Sequence, residues 1–310
     1  MTDSLRLSVP DLADPADAEA FYRVADAARD LDGHDPFNDQ ARVDVAAGRR
    51  SPVAITVTRD DDGPRHVGSA IVGRAELDLV IDPAFRGLGY GRVALEGILP
   101  TLHGAITAWS HGDHPAARVL ARRHGFEPAR TLLRLRLDPL PDDLDAGRPE
   151  GVAIETFRPG ADDDEWVALN AEIFERHPEQ GALQVSDLQA RQDEPWFDAG
   201  DFLVARDATG RMVAYNWLKL EPGIDEGEIY VVGVAPTHAG RGLGKALMLA
   251  GLRRLRERGR RAATLYVESD NDPAVRLYRS LGFVDDLVDV QYVRPEQRSG
   301  GVRTGDFRAS

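Results

Sequence analysis

Residues 227–248 read GEIYVVGVAPTHAGRGLGKALM, and this stretch decides the fold. Its opening residues are rich in Val and Ile, which predicts a strand, and the leucines that follow at helical spacing predict a helix over 245–258. The glycines of AGRGLGK (239–245) let the backbone turn tightly and point successive N–H groups into one concavity, to which the helix adds its free N-terminal N–H groups. The sequence therefore predicts a pyrophosphate cradle between a strand and a helix.

Two common nucleotide-binding loops do not fit this stretch. A P-loop requires Gly-Lys followed by Ser or Thr, whereas Lys245 is followed by Ala246. A dinucleotide fingerprint requires G-x-G-x-x-G after the first strand of its domain, whereas the glycines here are Gly240, Gly242 and Gly244, well into the predicted strand order. The cradle is therefore predicted to hold a ligand of another class.

The cradle occurs twice in the chain. LVIDPAFRGLGYGRVAL (79–95) aligns with VGVAPTHAGRGLGKALM (232–248) at an offset of 242 − 89 = 153. A second block, HPAARVLARRHGF (114–126), aligns with NDPAVRLYRSLGF (271–283) at an offset of 282 − 125 = 157. Because both blocks occur in the same order, the sequence predicts a duplicated domain rather than two chance glycine loops.

The segment DPLPDDLDAGRPEG (138–151) lies between the copies and has the Pro, Gly and Asp content of a linker. We therefore expect an N-terminal domain over 1–140, a linker over 141–150, a C-terminal domain over 151–295 and a disordered tail over 296–310. Strand, loop, helix, strand, helix, strand is an α/β layer arrangement with a mixed sheet in each copy.

The bulk composition narrows the function. The chain has 310 residues, no cysteine and a formal net charge of -14. This acidic balance argues against nucleic-acid binding and is typical of a soluble protein with small-molecule partners, and it is compatible with a cationic amine as the partner. Lack of cysteine excludes a disulfide scaffold and a thiolate nucleophile. With no signal peptide and no long apolar stretch, we expect a cytoplasmic monomer without membrane contact.

The loops resemble the acyl-CoA motif of the GNAT superfamily, Arg/Gln-x-x-Gly-x-Gly/Ala. The first copy, Arg86 to Gly91, matches the motif fully, whereas Ala239 replaces its first residue in the second copy. We expect this replacement to weaken the second site without abolishing it, because the family binds the ligand there through backbone amides.

The C-terminal half is more specifically similar to the mycothiol synthase family, the tandem-GNAT enzymes of actinobacteria. The similarity is strong over 165–294 and weak in the N-terminal half; it rests on HPEQG (177–181), NWLKL (216–220), GEIYVVGV (227–234), LYVESDN (265–271) and AVRLYRSLGF (274–283). It implies two tandem GNAT domains and an N-acetyltransferase that uses acetyl-CoA and no metal. The acceptor would be the cysteinyl amine of a glucosaminyl-inositol precursor, and the product mycothiol.

The resemblance also implies the residues that contact acetyl-CoA. In the second copy they are Val232, Gly233, Val234, Ala239, Gly240, Arg241, Gly242, Leu243, Gly244, Lys245, Asn271, Asp272, Pro273, Ala274, Val275 and Arg276. In the first copy the matching residues are Leu79, Val80, Ile81, Gly87, Leu88, Gly89, Tyr90, Gly91 and Arg92.

The implied acceptor contacts are Glu179, Lys219, Glu228 and Tyr266, together with an acidic residue of the N-terminal half. The segment DGHDPFNDQ nominates Asp39 for that position, although the family usually carries Glu there. Without the family context, Lys219 and Glu179 are equally typical of ordinary surface charges.

Acetyl transfer to an amine needs a proton acceptor and benefits from a proton donor. The resemblance implies Glu228 as general base and Tyr278 as general acid; the alternative for Tyr278 is a core aromatic on its helix. Strict alternation would put residues 228, 230, 232 and 234 on one face, so we expect Glu228 to point the same way as Val232. With no other activated nucleophile in view, direct attack on the thioester is expected.

The first copy is predicted to bind acetyl-CoA without turnover. The offset of 153 puts Ala75 at the position of Glu228 and leaves Glu76 on the other face, and no tyrosine lies between Leu120 and His124. One alternative is a different base, from His103, His111 or His114. Two further hypotheses concern the whole chain: a tandem GNAT enzyme that acetylates an aminoglycoside, polyamine or protein amine, and a non-catalytic acyl-CoA sensor.

Overall fold

The computed structural model describes residues 4–59, 62–144, 147, 150–175 and 180–296. The predicted tail from 297 onward and most of the second half of the predicted linker lie outside these ranges. Contacts divide the chain into two compact units. The first unit comprises 1–131 with 287–310, and the second comprises 132–286.

Helices and strands alternate in the same order in both halves of the chain. The strands are β1 (Ser4–Ser8), β2 (Ser51–Arg59), β3 (Asp62–Val72), β4 (Glu76–Ile81), β5 (Ile106–Ser110), β6 (Glu127–Leu137), β7 (Val152–Thr156), β8 (Phe202–Asp207), β9 (Met212–Lys219), β10 (Glu226–Val234), β11 (Ala262–Glu268) and β12 (Val284–Arg294). The α-helices are α1 (Pro15–Asp32), α2 (Asp39–Ala46), α3 (Tyr90–Ile98), α4 (Pro115–Arg123), α5 (Asp163–Ile173), α6 (Val185–Gln192), α7 (Leu243–Glu257) and α8 (Asp272–Ser280). Short 3₁₀ turns lie at Pro83–Phe85, Leu99–Thr101, His111–Asp113, Gln180–Ala182, Ala199–Asp201 and Pro236–His238.

Each unit contains a mixed sheet, as predicted. The strand order is β1-β2-β3-β4-β5-β12 in the first unit and β6-β11-β10-β9-β8-β7 in the second. In each unit one neighbouring pair is parallel, β4 with β5 and β10 with β11. The other pairs described within the units are antiparallel.

The final strand of each copy of the repeat pairs with a strand of the other copy. Strand β12 pairs with β5 from Val290↔Ser110 to Arg294↔Ile106, and β6 pairs with β11 from Leu137↔Ala263 to Leu132↔Glu268. The boundaries between the two contact units therefore fall within β6 and β12, whereas the predicted boundary at 140 follows the repeat along the chain. Edge pairing explains the difference, because β5 and β11 would otherwise each expose a row of backbone N–H and C=O groups.

Helix α7 positions the second cradle. It begins at Leu243, two residues before the predicted start, and the predicted stop Gly259 has a φ of 76°. The leucine face predicted from its spacing is buried, with Leu247, Leu252 and Leu255 fully inaccessible to solvent. Each such side chain contributes about 1.5–3 kcal/mol on burial, so the core holds the helix, and with it the loop that precedes it, against β9 and β10.

Strand β10 carries a β-bulge that changes the predicted alternation. Its register with β9 shifts between Ile229 and Val231, so one extra residue, Tyr230, stands opposite β9. Because directly paired residues share a face, Glu228 lies on the face of Lys219, whereas Val232 lies on the opposite face, paired with the buried Asn216. The expectation that Glu228 and Val232 point the same way is therefore wrong.

In the described ranges, no helix has both the length and the apolar character needed to cross a membrane.

Candidate active site

Strands β10 and β11 form a short parallel ladder and then part. The ladder runs from Glu226↔Ala262 to Ile229↔Leu265, although β10 continues to Val234 and β11 to Glu268. The bulge at Tyr230 coincides with the end of the ladder, as expected for a feature that bends a strand and terminates its pairing. Residues 232–234, predicted to contact acetyl-CoA, therefore lie beyond the ladder and lead directly into the glycine loop.

The second loop has the backbone that a phosphate cradle requires. Gly240 and Gly242 have φ values of 77° and 78°, in the left-handed region that residues other than glycine rarely adopt. Gly242 is the N-cap of α7 and supplies no side-chain cap, so the first N–H groups of α7 remain available to a ligand. A Cβ added at Gly240 or Gly242 would meet no atom within 4 Å, so it is the left-handed backbone and not crowding that requires glycine there. The residues present fit the diphosphate of a CoA ligand.

The first loop has the same backbone and an additional anchor. Gly87 and Gly89 have φ values of 77° and 87°, and Gly89 is the N-cap of α3. Arg86 donates two hydrogen bonds of 2.8 and 2.7 Å to Asp32 at the end of α1 and one of 3.1 Å to the carbonyl of Ile81. The hydrogen bonds from Arg86 also lower the pKa of Asp32. The motif's first arginine here ties the loop to α1, and the expectation that Ala239 weakens the second site without abolishing it stays a prediction.

Three predicted acceptor residues share one face of the second sheet. Glu228 pairs with Lys219 on β9 and with Thr264 on β11, and Tyr266 follows two residues after Thr264 on the same face. The Lys219 ammonium lies 2.8 Å from a carboxylate oxygen of Glu221 and 5.7 Å from the ring centroid of Trp196. Tyr266 is 45% exposed, so an acceptor can reach this face.

Two predicted acceptor residues have side chains that the structure does not describe. Glu179 lies within 176–179, outside the described ranges. Asp39 is the first residue of α2 in the first unit, and its side chain is likewise outside the description. Their roles stay predictions.

Tyr278 lies in α8 and packs against the face of β10 opposite to that of Glu228. It packs in the same apolar cluster as Ile229 and Val232 and is only 7% exposed, with its ring 6.2 Å from that of Phe283. Burial raises the pKa of Tyr278 to about 12, so its hydroxyl keeps its proton at neutral pH. The residue is thus a core aromatic, and its hydroxyl has the protonation state that a general acid needs.

The first unit has a glutamate at the position of Glu228. Glu76 pairs with Thr107 just as Glu228 pairs with Thr264, and these two threonines correspond at the offset of 264 − 107 = 157. No register shift occurs between β3 and β4, so the bulge gives β10 one residue more than β4. The assignment of Ala75 to this position is therefore wrong, because the offset of 153 holds only after the bulge.

The surroundings of Glu76 differ from those of Glu228. The side chain of Glu76 is 58% exposed and lies 3.5 Å from Arg50, which is itself buried and donates to Asp78 at 2.7 Å. Burial raises the pKa of Asp78 against the effect of Arg50. The position of Tyr278 is occupied by the buried Ala121, as the sequence predicted.

The three histidines offered as alternative bases in the first unit have different partners. The Nδ1 atom of His103 lies 2.8 Å from the carbonyl of Leu102, and the ring of His114 caps α4. His111 lies 3.0 Å from Asp289, which also accepts from the N–H of Gly112. Burial would lower the pKa of His111, but the carboxylate of Asp289 outweighs it and the pKa is raised.

A buried polar network near the second site was not predicted. The Tyr215 hydroxyl donates to Asn170 at 2.7 Å, and the Asn170 amide donates to the carbonyl of Gln180 at 2.6 Å. Tyr215 is paired with Gly233 on β10, and burial raises its pKa well above its usual value. The network fixes the segment directly after Glu179. Its only sequence signal is the polar Asn170 on the core face of α5.

Known proteins share the sequence motifs and the fold of this chain. Residues 166–283 match the Acetyltransferase (GNAT) family. A solved tandem GNAT protein from the clavulanic acid biosynthesis pathway superposes with a TM-score of 0.70 over 96% of this chain and 100% of its own, at 20% identity. A GCN5-related N-acetyltransferase from Sphaerobacter thermophilus gives 0.67 over 94% and 97%, at 24% identity. The fold and the site define an acetyl-CoA-dependent N-acetyltransferase with two GNAT domains in tandem.

Sequence relatives define the family more narrowly. The mycothiol acetyltransferase of Clavibacter sepedonicus is 45% identical over 90% of this chain and 93% of its own length. That of Thermobispora bispora is 43% identical over 90% and 97%, respectively. The chain belongs to the mycothiol acetyltransferase family, as its sequence motifs predicted.

Proposed function

We propose that this chain transfers the acetyl group of acetyl-CoA to the cysteinyl amine of 1D-myo-inositol 2-(L-cysteinylamino)-2-deoxy-glucopyranoside, giving mycothiol, and that only the second unit performs the reaction. The observation that carries the proposal is the position of Glu228. It lies beside Lys219 at the end of the β10–β11 ladder, just before β10 enters the cradle.

In the proposed mechanism, Glu228 accepts a proton from the acceptor ammonium, and the free amine then attacks the thioester carbon. A carbon–nitrogen bond forms, the carbon–sulfur bond breaks, and Tyr278 donates its proton to the departing sulfur. The nitrogen loses its second proton as the amide forms, and this proton returns to Tyr278 through solvent, so the tyrosine is restored. A positioned general base or acid contributes about 10²–10⁴-fold each. The opposite faces of β10 keep these roles apart, because the base acts on the attacking nitrogen and the acid on the leaving sulfur, two different substituents of the tetrahedral carbon.

The remaining predicted residues supply binding in this proposal. Backbone amides of 239–245 and of the first turn of α7 hold the diphosphate, and 232–234 and 271–276 line the rest of the acetyl-CoA site. Lys219, Tyr266, Glu179 and Asp39 bind the hydroxyl-rich acceptor through hydrogen bonds.

The first unit is proposed to bind acetyl-CoA through 79–81 and 87–92 without turnover, since Ala121 supplies no proton donor. We also propose a cytoplasmic, monomeric enzyme that needs no metal and binds neither nucleic acid nor membrane; the net charge of -14 supports the point on nucleic acid.

A thiol-release assay with acetyl-CoA tests the proposal. The cysteinyl-glucosaminyl-inositol precursor is compared with an aminoglycoside, a polyamine and a peptide amine at equal concentration. Release with the precursor alone is the expected result. Preferential release with another amine would identify a different tandem GNAT enzyme, and ligand binding by calorimetry without release from any amine would identify an acyl-CoA sensor.

A further inference from the structure

The two cradles have the same backbone conformation and pack against equivalent helices. Besides the matching glycine φ values, the third glycine of each loop packs against the helix that follows the next strand. A Cβ at Gly91 would lie 3.7 Å from Leu120, and one at Gly244 would lie 3.6 Å from Leu277. The residues beside these leucines, Val119 and Arg276, therefore occupy equivalent places at the rim of each cradle.

The rim of the second cradle is cationic. Arg241 lies between the two left-handed glycines, Lys245 lies in the first turn of α7 and Arg276 lies in α8. All three side chains are exposed, and Arg276 lies 3.8 Å from Asp272, one turn earlier in α8. One turn after Lys245 the chain has Leu249, so α7 offers no carboxylate to pair with Lys245 at that spacing.

The rim of the first cradle is apolar at two of the three equivalent positions. Leu88 replaces Arg241 and is 55% exposed, and Val119 replaces Arg276 and is 59% exposed. Arg92 replaces Lys245, but it donates to both carboxylate oxygens of Glu96 at 3.0 Å. The cationic charge that the second rim presents to a ligand is therefore largely lost from the first.

Neighbouring arginines do not restore this charge. Arg118, next to Val119, lies 2.7 Å from Asp113. Arg86, at the start of the loop, is bound to Asp32 at 2.7 Å. Each is already paired with a carboxylate, and an arginine held in this way has less attraction left for a second anion.

We infer that the first cradle binds the diphosphate and pantetheine portion of its ligand and does not select for the 3′-phosphate that distinguishes CoA from dephospho-CoA. This inference rests on the proposed binding of acetyl-CoA in the first unit. The loop amides can hold the diphosphate in both units, but only the second rim adds two cations, Arg241 and Lys245, that form no ion pair with a described residue and can attract a further phosphate. The apolar rim suits uncharged parts of the ligand, such as the adenine ring.

Titration calorimetry on the full chain with CoA and with 3′-dephospho-CoA tests this inference. Two exchanged variants serve as matched controls: L88R/V119R gives the first rim the residues of the second, and R241L/R276V does the reverse. All four positions are exposed, so folding should persist, and thermal unfolding of each variant checks this.

In the wild type, we expect two sites per chain. One should bind both ligands within about twofold, and the other should prefer CoA by about tenfold, the order of one charge-assisted contact. L88R/V119R should make the unselective site bind CoA about tenfold more tightly than 3′-dephospho-CoA. R241L/R276V should make the other site bind the two ligands equally. The preference should also shrink with added salt.

Two outcomes overturn the inference while leaving ligand binding in both units intact. In one, both wild-type sites prefer CoA equally; in the other, L88R/V119R leaves the preference of the unselective site unchanged. A stoichiometry of one ligand per chain overturns both the inference and the proposed binding of acetyl-CoA in the first unit. The acetyl-transfer proposal for the second unit stands or falls separately, by the thiol-release assay.

Discussion

The two units differ less in their skeleton than in a few side chains. Both contain a parallel strand pair that parts before a glycine loop, and both carry a glutamate at the same place on that pair, Glu76 and Glu228. The second unit adds a bulge, a lysine and a tyrosine, whereas the first has an arginine–aspartate pair and an alanine. Both units therefore have a carboxylate at this position, and they differ in the residues that surround that carboxylate.

The largest expected effect separates the two glutamates. Glu228→Gln should lower the rate of acetyl transfer to the precursor by about 10²–10⁴-fold, because the ammonium loses its proton acceptor. Glu76→Gln is the matched control and should leave kcat within about twofold. Steady-state thiol release measures both. Comparable losses in the two variants would show that both units turn over substrate.

The second comparison concerns Tyr278 and Ala121. Tyr278→Phe keeps the ring in the core and removes only the proton donor, so kcat should fall by about 10²-fold, the lower end of the range for a positioned acid, with little change in the KM for either substrate. Thermal unfolding should change little, because the hydroxyl lies among apolar side chains. A full rate in Tyr278→Phe would show that this residue serves only as a core aromatic.

A smaller effect is expected for Lys219, whose equivalent in the first unit is Gly73. Lys219→Met should raise the KM for the acceptor by about tenfold through the loss of one charged hydrogen bond, while the KM for acetyl-CoA stays unchanged. Lys245→Met, at the cradle, is the contrasting variant and should raise only the KM for acetyl-CoA. If both variants changed the same constant, the acceptor and acetyl-CoA sites would not be separate.

The smallest expected effect is on stability in the first unit. The folded pKa of His111 is raised above its unfolded value near 6.5, so the His111–Asp289 pair stabilises fully below that value and loses its effect as pH rises through the folded pKa. Asp289→Asn should therefore cost about 1–2 kcal/mol at pH 5.5 and less at pH 9 in urea unfolding. Asp285→Asn, at an exposed pair with Arg279, should cost under about 0.5 kcal/mol at either pH. An equal cost of Asp289→Asn at both pH values would contradict the titration of His111.

Local features of the fold could be predicted from the sequence. The glycine loops and the leucine face of α7 follow from residues that lie close together in the chain. The repeat shows when two such stretches are aligned. The bulge at Tyr230 could not be predicted, because an extra residue in a strand changes neither composition nor apolar content and shows only when two strands are aligned. The first assignment of Ala75 in place of Glu76 failed for this reason.

Contacts between residues far apart in the chain could not be predicted from the sequence either. The buried pair of Arg50 and Asp78 and the pair of His111 and Asp289 join residues 28 and 178 positions apart. A buried charge must find a partner, but the sequence does not name which of the many carboxylates supplies it. The predicted acceptor set, in contrast, rests on family motifs, and three of its members do share one face.

The exchange of β6 and β12 has a consequence for synthesis on the ribosome. The first unit needs residues 290–294 to cover the edge of β5, and these residues are made only after the whole of the second unit. Its sheet therefore stays open at β5 while the second unit is translated, although its own first five strands are already available. A nascent chain that stops after the second unit leaves that edge free to pair with another chain, so a premature stop near 286 should yield aggregation rather than a shortened enzyme.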